Sequence, residues 1–232
     1  MLPDTARFAA VCVAACTLSF AYQDGTKQAV PNEKQLVIQT LEDIRTRLSF
    51  HRFDRRFTIA VPKALDHIVW LRAEAIAWRP ATEQEGRGLR QSLQLILAAL
   101  ETVKAPTPKA LALMTEIESD LAIKVQFCRT FGLSAPAIVV ATTKQGGLEE
   151  VKGLEVWYIE KFLASDAKAQ AHRFSSFSSP ATETVAPGRY VFWSKGPSGP
   201  KAGEKLEQCL CLSSLPDTSR RPPTFKIDLL AP

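Results

Sequence analysis

The residues best placed by type and spacing to do chemistry lie between positions 45 and 57: Arg45, Arg47, Phe50, His51, Arg52, Phe53, Arg55, Arg56 and Phe57. A guanidinium pairs bidentately with phosphate or carboxylate, and an aromatic ring stacks on a base or sugar, so this interleaving could grip an anionic chain. Arg45, Arg47, His51, Arg52, Arg55 and Arg56 are therefore the anionic-ligand candidates. The competing reading is a connecting segment whose phenylalanines plug the end of a helical bundle while its arginines stay solvated.

Acid and base pairs are less specific. His51 with Asp54, and His67 beside Asp66, lack a Ser or Cys nucleophile in a strand-turn setting, which favours solvated or capping roles. Carboxylates such as Glu149, Glu150, Glu155 and Glu160 are plentiful, but spacing does not show two of them facing one cleft. His172 starts a predicted strand and carries no further signal. No glycine-rich phosphate loop follows a strand. Among the cysteines, Cys128 lies on the apolar side of a helix and reads as core. Cys209 and Cys211 project from one strand face about 6.6 Å apart with parallel Cβ vectors, a poor geometry for a direct bridge. With no paired ligand motif, no metal and no cofactor is expected, and the catalytic residues stay unassigned.

The elements that position these residues begin after a leader. Phe8 to Phe20 is an apolar run followed at once by polar residues from Gln23. It is too short to span a bilayer, which needs roughly 20 apolar residues. Residues 1–21 are thus expected to be a signal segment and 22–31 a flexible leader. Ser19 and Ala21 suit an ordinary cut before Tyr22. Val13, Ala14, Ala15 and Cys16 resemble a bacterial lipobox, whose use would make Cys16 the lipidated first residue. The ordinary cut is favoured, because cutting at Cys16 leaves an apolar core of only about eight residues.

From residue 32 to 132 the pattern is helical, with four amphipathic segments. Asn32 and Gln35 have capping-box spacing, and Val37, Leu41, Ile44 and Leu48 share one face. The second helix is expected to begin at Pro62, carry Leu65, Ile68, Val69, Trp70, Ile76 and Trp78, and close at Pro80. Thr82 with Glu85 predicts the start of the third, whose line is Leu89, Leu93, Ile96, Leu97 and Leu100. Thr107 and Pro108 open the fourth, with Leu111, Met114, Ile117, Leu121, Val125 and Cys128 on one side and Gly132 at its end. Short connections make an antiparallel bundle the simplest arrangement.

Residues 133–232 change to short β-rich runs bounded by Pro, Gly and Ser. Expected strands are 137–142, 154–160, 172–177, 189–195, 206–213 and 225–229, in a small antiparallel β-sandwich. The loops 196–204 and 213–224 are surface connections and the expected place for any binding by this half. Pro187 and Gly188 fit the central positions of a type II turn, after which Tyr190, Val191, Phe192 and Trp193 run as a strand. This turn, with its apolar-x-Pro-Gly-x-Tyr order, resembles that of the transthyretin-like, carboxypeptidase-regulatory-like and PEGA-type modules of exported bacterial proteins. The resemblance covers residues 150–230 and implies a non-catalytic β-sandwich attachment; the Thr-Asp-x-x-Gly type signal of those modules is absent here.

The fold expected is therefore α+β, a helical bundle domain followed by a β-sandwich domain. The 232-residue chain has 46% hydrophobic and 23% charged residues, which excludes the disordered class, and its net charge of +5 favours anionic neighbours only weakly. An extracytoplasmic address, periplasmic or secreted, makes a nucleic-acid partner unexpected. The function expected is an exported, non-enzymatic binding or scaffolding protein with an unknown protein or an envelope polymer as partner, meeting a membrane only through a lipid at Cys16. The alternatives are a hydrolase or transferase of wall or sugar polymers working in a crevice between domains, and a lipid-anchored structural protein.

Overall fold

The computed structural model describes residues 32–52, 54–57, 59–80, 82, 86–133, 138–144, 149–150, 155–166, 169–175, 182–194, 205–210 and 224–228. The signal segment with Cys16, the leader, Phe53, Glu85 and Cys211 lie outside the described residues, as does the loop 196–204 and all of 213–224 but its last residue.

Four helices come first: α1 (Glu33–Phe50), α2 (Ala60–Ala77), α3 (Arg87–Glu101) and α4 (Pro108–Phe131). The α1 capping box forms as the spacing requires, with the Gln35 N–H donating to Asn32 Oδ1 at 2.9 Å and the Asn32 N–H donating to Gln35 Oε1 at 3.2 Å. Val37, Leu41, Ile44 and Leu48 are fully buried against α2 and α3. Thr107 caps α4 through the Ala110 N–H, Pro108 takes the first turn, and Gly132 closes the helix at φ 76°.

Two helix starts differ from expectation. Helix α2 begins at Ala60, two residues ahead of Pro62, which sits in the first turn where its missing N–H costs no helical bond. Its buried face is Val61, Ala64, Ile68, Leu71 and Ala75, so Val69 and Ile76 are left half exposed. Helix α3 begins at Arg87 rather than after Thr82, because Gly86 adopts a left-handed φ of 87° and its α-carbon lies against the Trp78 ring. A Cβ there would stand 2.5 Å from Trp78 Cη2, so the packing of the α2 terminus sets where α3 can start. Lys34 of α1 then donates to the terminal carbonyls of Ile76 and Trp78 at 2.8 and 2.6 Å, satisfying acceptors that α2 leaves open.

The strands are β1 (Ile138–Lys144), β2 (Glu149–Glu150), β3 (Val156–Glu160), β4 (His172–Arg173), β5 (Thr182–Val185), β6 (Gly188–Ser194), β7 (Lys205–Leu210) and β8 (Thr224–Asp228). They form two four-stranded sheets, one with β1 paired to β2, β5 and β8, the other in the order β4-β3-β6-β7. The class is α+β. All described pairs are antiparallel except β1 with β8, which run parallel with Val140 opposite Phe225. Side-chain alternation in β8 fixes which residues share a face, not the direction in which the strand meets its neighbour, so the parallel pair carried no sequence signal.

Strand β6 explains its own composition. Tyr190 and Phe192 point to one face, Val191 and Trp193 to the other, and all four are buried. A strand covered on both sides reads as an unbroken apolar run. The first face stacks Tyr158, Phe174, Tyr190 and Phe192 at ring separations of 5.6 to 6.2 Å. The second packs Ile159, Val191 and Trp193 against Leu163, Ala169 and Ala171.

Candidate functional site

The arginine segment does not assemble as a single basic face. Arg45 pairs with Glu42 at 2.8 Å, Arg47 reaches the other way to Glu101 of α3 at 3.3 Å, and Arg56 binds Asp54 at 3.1 Å. Arg45 and Arg52 line a shallow hollow of about 240 Å³ shared with Asp66 and Val69. Arg55 lies in a single 3-10 turn, Arg55–Phe57, whose Phe57 is buried and meets His51 edge to face at 5.4 Å. Phe57 thus plugs the bundle, whereas Phe50 is 74% exposed. Asp54 serves Arg56, which holds its carboxyl below the usual range, and the Asp54 backbone N–H donates to the His51 carbonyl. His67 meets Glu118 at 3.4 Å instead of working with Asp66.

A second polar group is buried where α4 meets β6. Lys124 Nζ lies 2.5 Å from Asp120 Oδ2 and donates to the Pro187 carbonyl at 2.8 Å. Asp120 Oδ1 accepts from the Arg189 N–H at 3.1 Å, and the Arg189 guanidinium donates to Glu116 at 2.8 Å. Gly188 has no left-handed φ, so the expected type II turn is not formed there. Its glycine is needed for another reason, because a Cβ would fall 2.6 Å from Asp120 Oδ1. The Tyr190 hydroxyl donates to the Ala186 carbonyl at 2.7 Å and ties the turn to the strand. The Cys128 thiol, one turn along α4, is pushed up to about 12 by burial and stays protonated at neutral pH.

Glu160, at the end of β3, is buried with Oε2 lacking a hydrogen-bond partner and 4.0 Å from His172 Nε2. The β3–β4 register, Tyr158 opposite His172, brings the two together. Burial raises the Glu160 carboxyl above the usual carboxylate range; its own backbone N–H, His172 and Lys124 oppose that rise, and Asp120 adds to it. A carboxyl with a raised folded-state pKa stabilises the fold below its unfolded pKa, and that stability is lost as pH rises through the folded value. Glu160→Gln should therefore gain stability over the parent at about pH 8 and converge with it near about pH 4, measured by urea unfolding. A variant less stable than the parent at the higher pH would contradict burial as the dominant influence.

A further hollow lies where the helical and β halves meet. A crevice of about 480 Å³ opens between the C-terminal end of α3, the first turns of α4 and the 3-10 turn Lys161–Leu163. Its floor is Val103, Ala110, Leu113, Phe162 and Leu163, and Lys104, Lys109, Ser165 and Asp166 stand around it. A second hollow of about 250 Å³, lined by Leu95, Gln170 and His172, shares Ala99, Thr102, Leu163 and Asp166 with the first. These four residues are the boundary, or neck, common to the two linings, and His172, 4.0 Å from Glu160, lines the smaller hollow.

The chain matches no protein-family model, no curated protein and no solved structure. Its chemistry must be read from the crevice itself. Among the described residues no group of three His, Cys, Asp or Glu could hold a metal, and no helix is long and apolar enough to cross a membrane. Sequence reasoning singled out none of Lys104, Lys109, Asp120 and Lys124. The two exposed lysines sit at an ordinary helix connection, Lys104 within it and Lys109 in the first turn of α4. Asp120 and Lys124 have the i, i+4 spacing of a solvated pair, and the one available hint was that α4 carries Ile123 and Phe127 on this side too.

Proposed function

We propose that this chain is an exported, non-enzymatic binding protein of the cell envelope, with its ligand site in the crevice between α3, α4 and the β3–β4 connection. The observation that carries the reading is the crevice itself, about 480 Å³ with an apolar floor and a few polar groups at its edge. Ligand pockets are of about 300–1,000 Å³ and have this kind of lining. Ser165 and His172 line different lobes, which favours binding over nucleophilic chemistry. The resemblance of residues 150–230 to transthyretin-like modules supports a non-catalytic role, and the apolar run at 8–20 supports export.

Binding is tested with N-phenyl-1-naphthylamine, a neutral probe that fluoresces in apolar surroundings. Thr102→Trp fills the neck from an exposed position and Leu113→Trp fills the floor from a half-buried one. Each should weaken probe binding at least about tenfold while leaving thermal unfolding near the parent's, since a filled pocket excludes the ligand. Parent-like binding by both would remove the crevice as the site. Intact mass of the exported product should give Tyr22 as first residue; a diacylglyceryl group on Cys16 would instead support the lipid-anchored structural role.

A second reading, a hydrolase or transferase of wall polymers, is favoured by one observation: His172 lines the smaller hollow with the buried Glu160 carboxyl 4.0 Å from its Nε2, an arrangement that can orient an imidazole as a base. It requires turnover of a wall polymer that His172→Ala abolishes.

A further inference from the structure

Resting on the crevice as the binding site, we infer that its ligand class is the small amphipathic anion: an apolar body with a carboxylate or similar head group. The wall of the larger lobe is built for the apolar body. Phe162, Val103 and Ala110 are buried beneath it, and Leu113 and Leu163 are half-buried at its surface. Apolar atoms left in a concave, water-lined hollow gain from being covered, and covering them is non-directional, so this floor selects for an apolar shape and little else.

The head group is set by charge. Lys104 follows the end of α3 and Lys109 stands in the first turn of α4, so the short α3–α4 connection places both lysines on the lining of the same lobe. Both residues are exposed, and neither has a carboxylate partner among the described residues. Among the described residues Asp166 is the single acidic one lining that lobe, against two lysines, and it is already engaged in another interaction. Several exposed cations of the bundle are answered by acids, Arg47 by Glu101, Arg56 by Asp54 and Arg87 by Glu33, while others such as Lys63 and Arg79 stand on open surface. What distinguishes Lys104 and Lys109 is that both line one hollow together with an apolar floor. An anionic head between Lys104 and Lys109 supplies the missing charge, and charge-assisted hydrogen bonds from ammonium to carboxylate are about twice as strong as neutral ones. The ligand's apolar part then lies on Leu113 and Phe162 and can continue through the neck toward Leu95.

The experiment is displacement of N-phenyl-1-naphthylamine from the full chain by decanoate and by decanol, which share an alkyl chain and differ in head-group charge. Decanoate should displace the probe at about tenfold lower concentration than decanol, the preference should shrink between 50 and 500 mM salt, and Lys104→Ala/Lys109→Ala should reduce it to about twofold or less. The double variant should still bind the neutral probe, which shows that its crevice is intact. Equal displacement by the two compounds in the parent, or an undiminished decanoate preference in the double variant, overturns the anionic ligand while leaving the crevice as a site. Failure of the parent to bind the neutral probe overturns the crevice reading and the inference with it.

Discussion

Replacing Lys124 by methionine should lower the unfolding free energy by about 3–5 kcal/mol, because it strands a carboxylate in the interior. The Lys124 and Asp120 side chains are 1% and 2% exposed, so neither end of the pair can turn to water. Lys124 supplies the charge that offsets Asp120 at 2.5 Å and also satisfies the Pro187 carbonyl at 2.8 Å. Methionine keeps the volume of the stem and removes both functions. For a chain of this size each kcal/mol moves the melting temperature by about 2–4 °C, giving a fall of roughly 6–20 °C in a thermal scan. Asp120→Asn/Lys124→Met should recover a large part of the loss, since asparagine keeps an oxygen for the Arg189 N–H and carries no charge to bury. A loss below about 1 kcal/mol for Lys124→Met would place the pair with exposed ion pairs such as Arg47 and Glu101. It would also mean that α4 and β6 separate readily enough for water to reach Asp120.

What could be read in advance follows the range of the interactions concerned. The α1 cap depends on two side chains three residues apart, and the buried face of α1 and the bundle-facing side of α4 depend on a 3.6-residue repeat; these are local and were legible, whereas the α4 side with Asp120, Ile123, Lys124 and Phe127 was not. The start of α3 depends on Gly86 meeting Trp78 across a turn, a tertiary contact that overrides the Thr82 and Glu85 pattern. The same holds for the arginines. Their spacing suggested one face, but α1 sends Arg45 toward α2 and Arg47 toward α3, and nearby acids take up the charge. The crevice lysines were illegible because Lys104 and Lys109 acquire meaning only from Phe162 and Leu163, more than fifty positions later. Glu160 and His172 likewise become neighbours through a strand register.

Gly188→Ala should destabilise the protein by about 2–3 kcal/mol, through packing alone. The backbone at Gly188 has no left-handed φ, so alanine meets no conformational penalty there and the effect isolates packing. The new Cβ would stand 2.6 Å from Asp120 Oδ1 and 3.4 Å from Lys124 Nζ. A flexible surface carboxylate would swing aside at little cost. Asp120 cannot, because the same oxygen accepts the Arg189 N–H and the other holds Lys124, and rotation breaks one contact or both. The alternative is to push β6 away from α4, which loosens Tyr190 and the rest of the aromatic face. Either response places Gly188→Ala and Lys124→Met on the same structural unit, so their effects should be less than additive in a double-mutant cycle. Full additivity would mean that the glycine and the ion pair are separate features. A Gly188→Ala protein as stable as its parent would mean that the α4–β6 junction has room to yield, and that the short Pro187–Gly188 segment serves the turn alone.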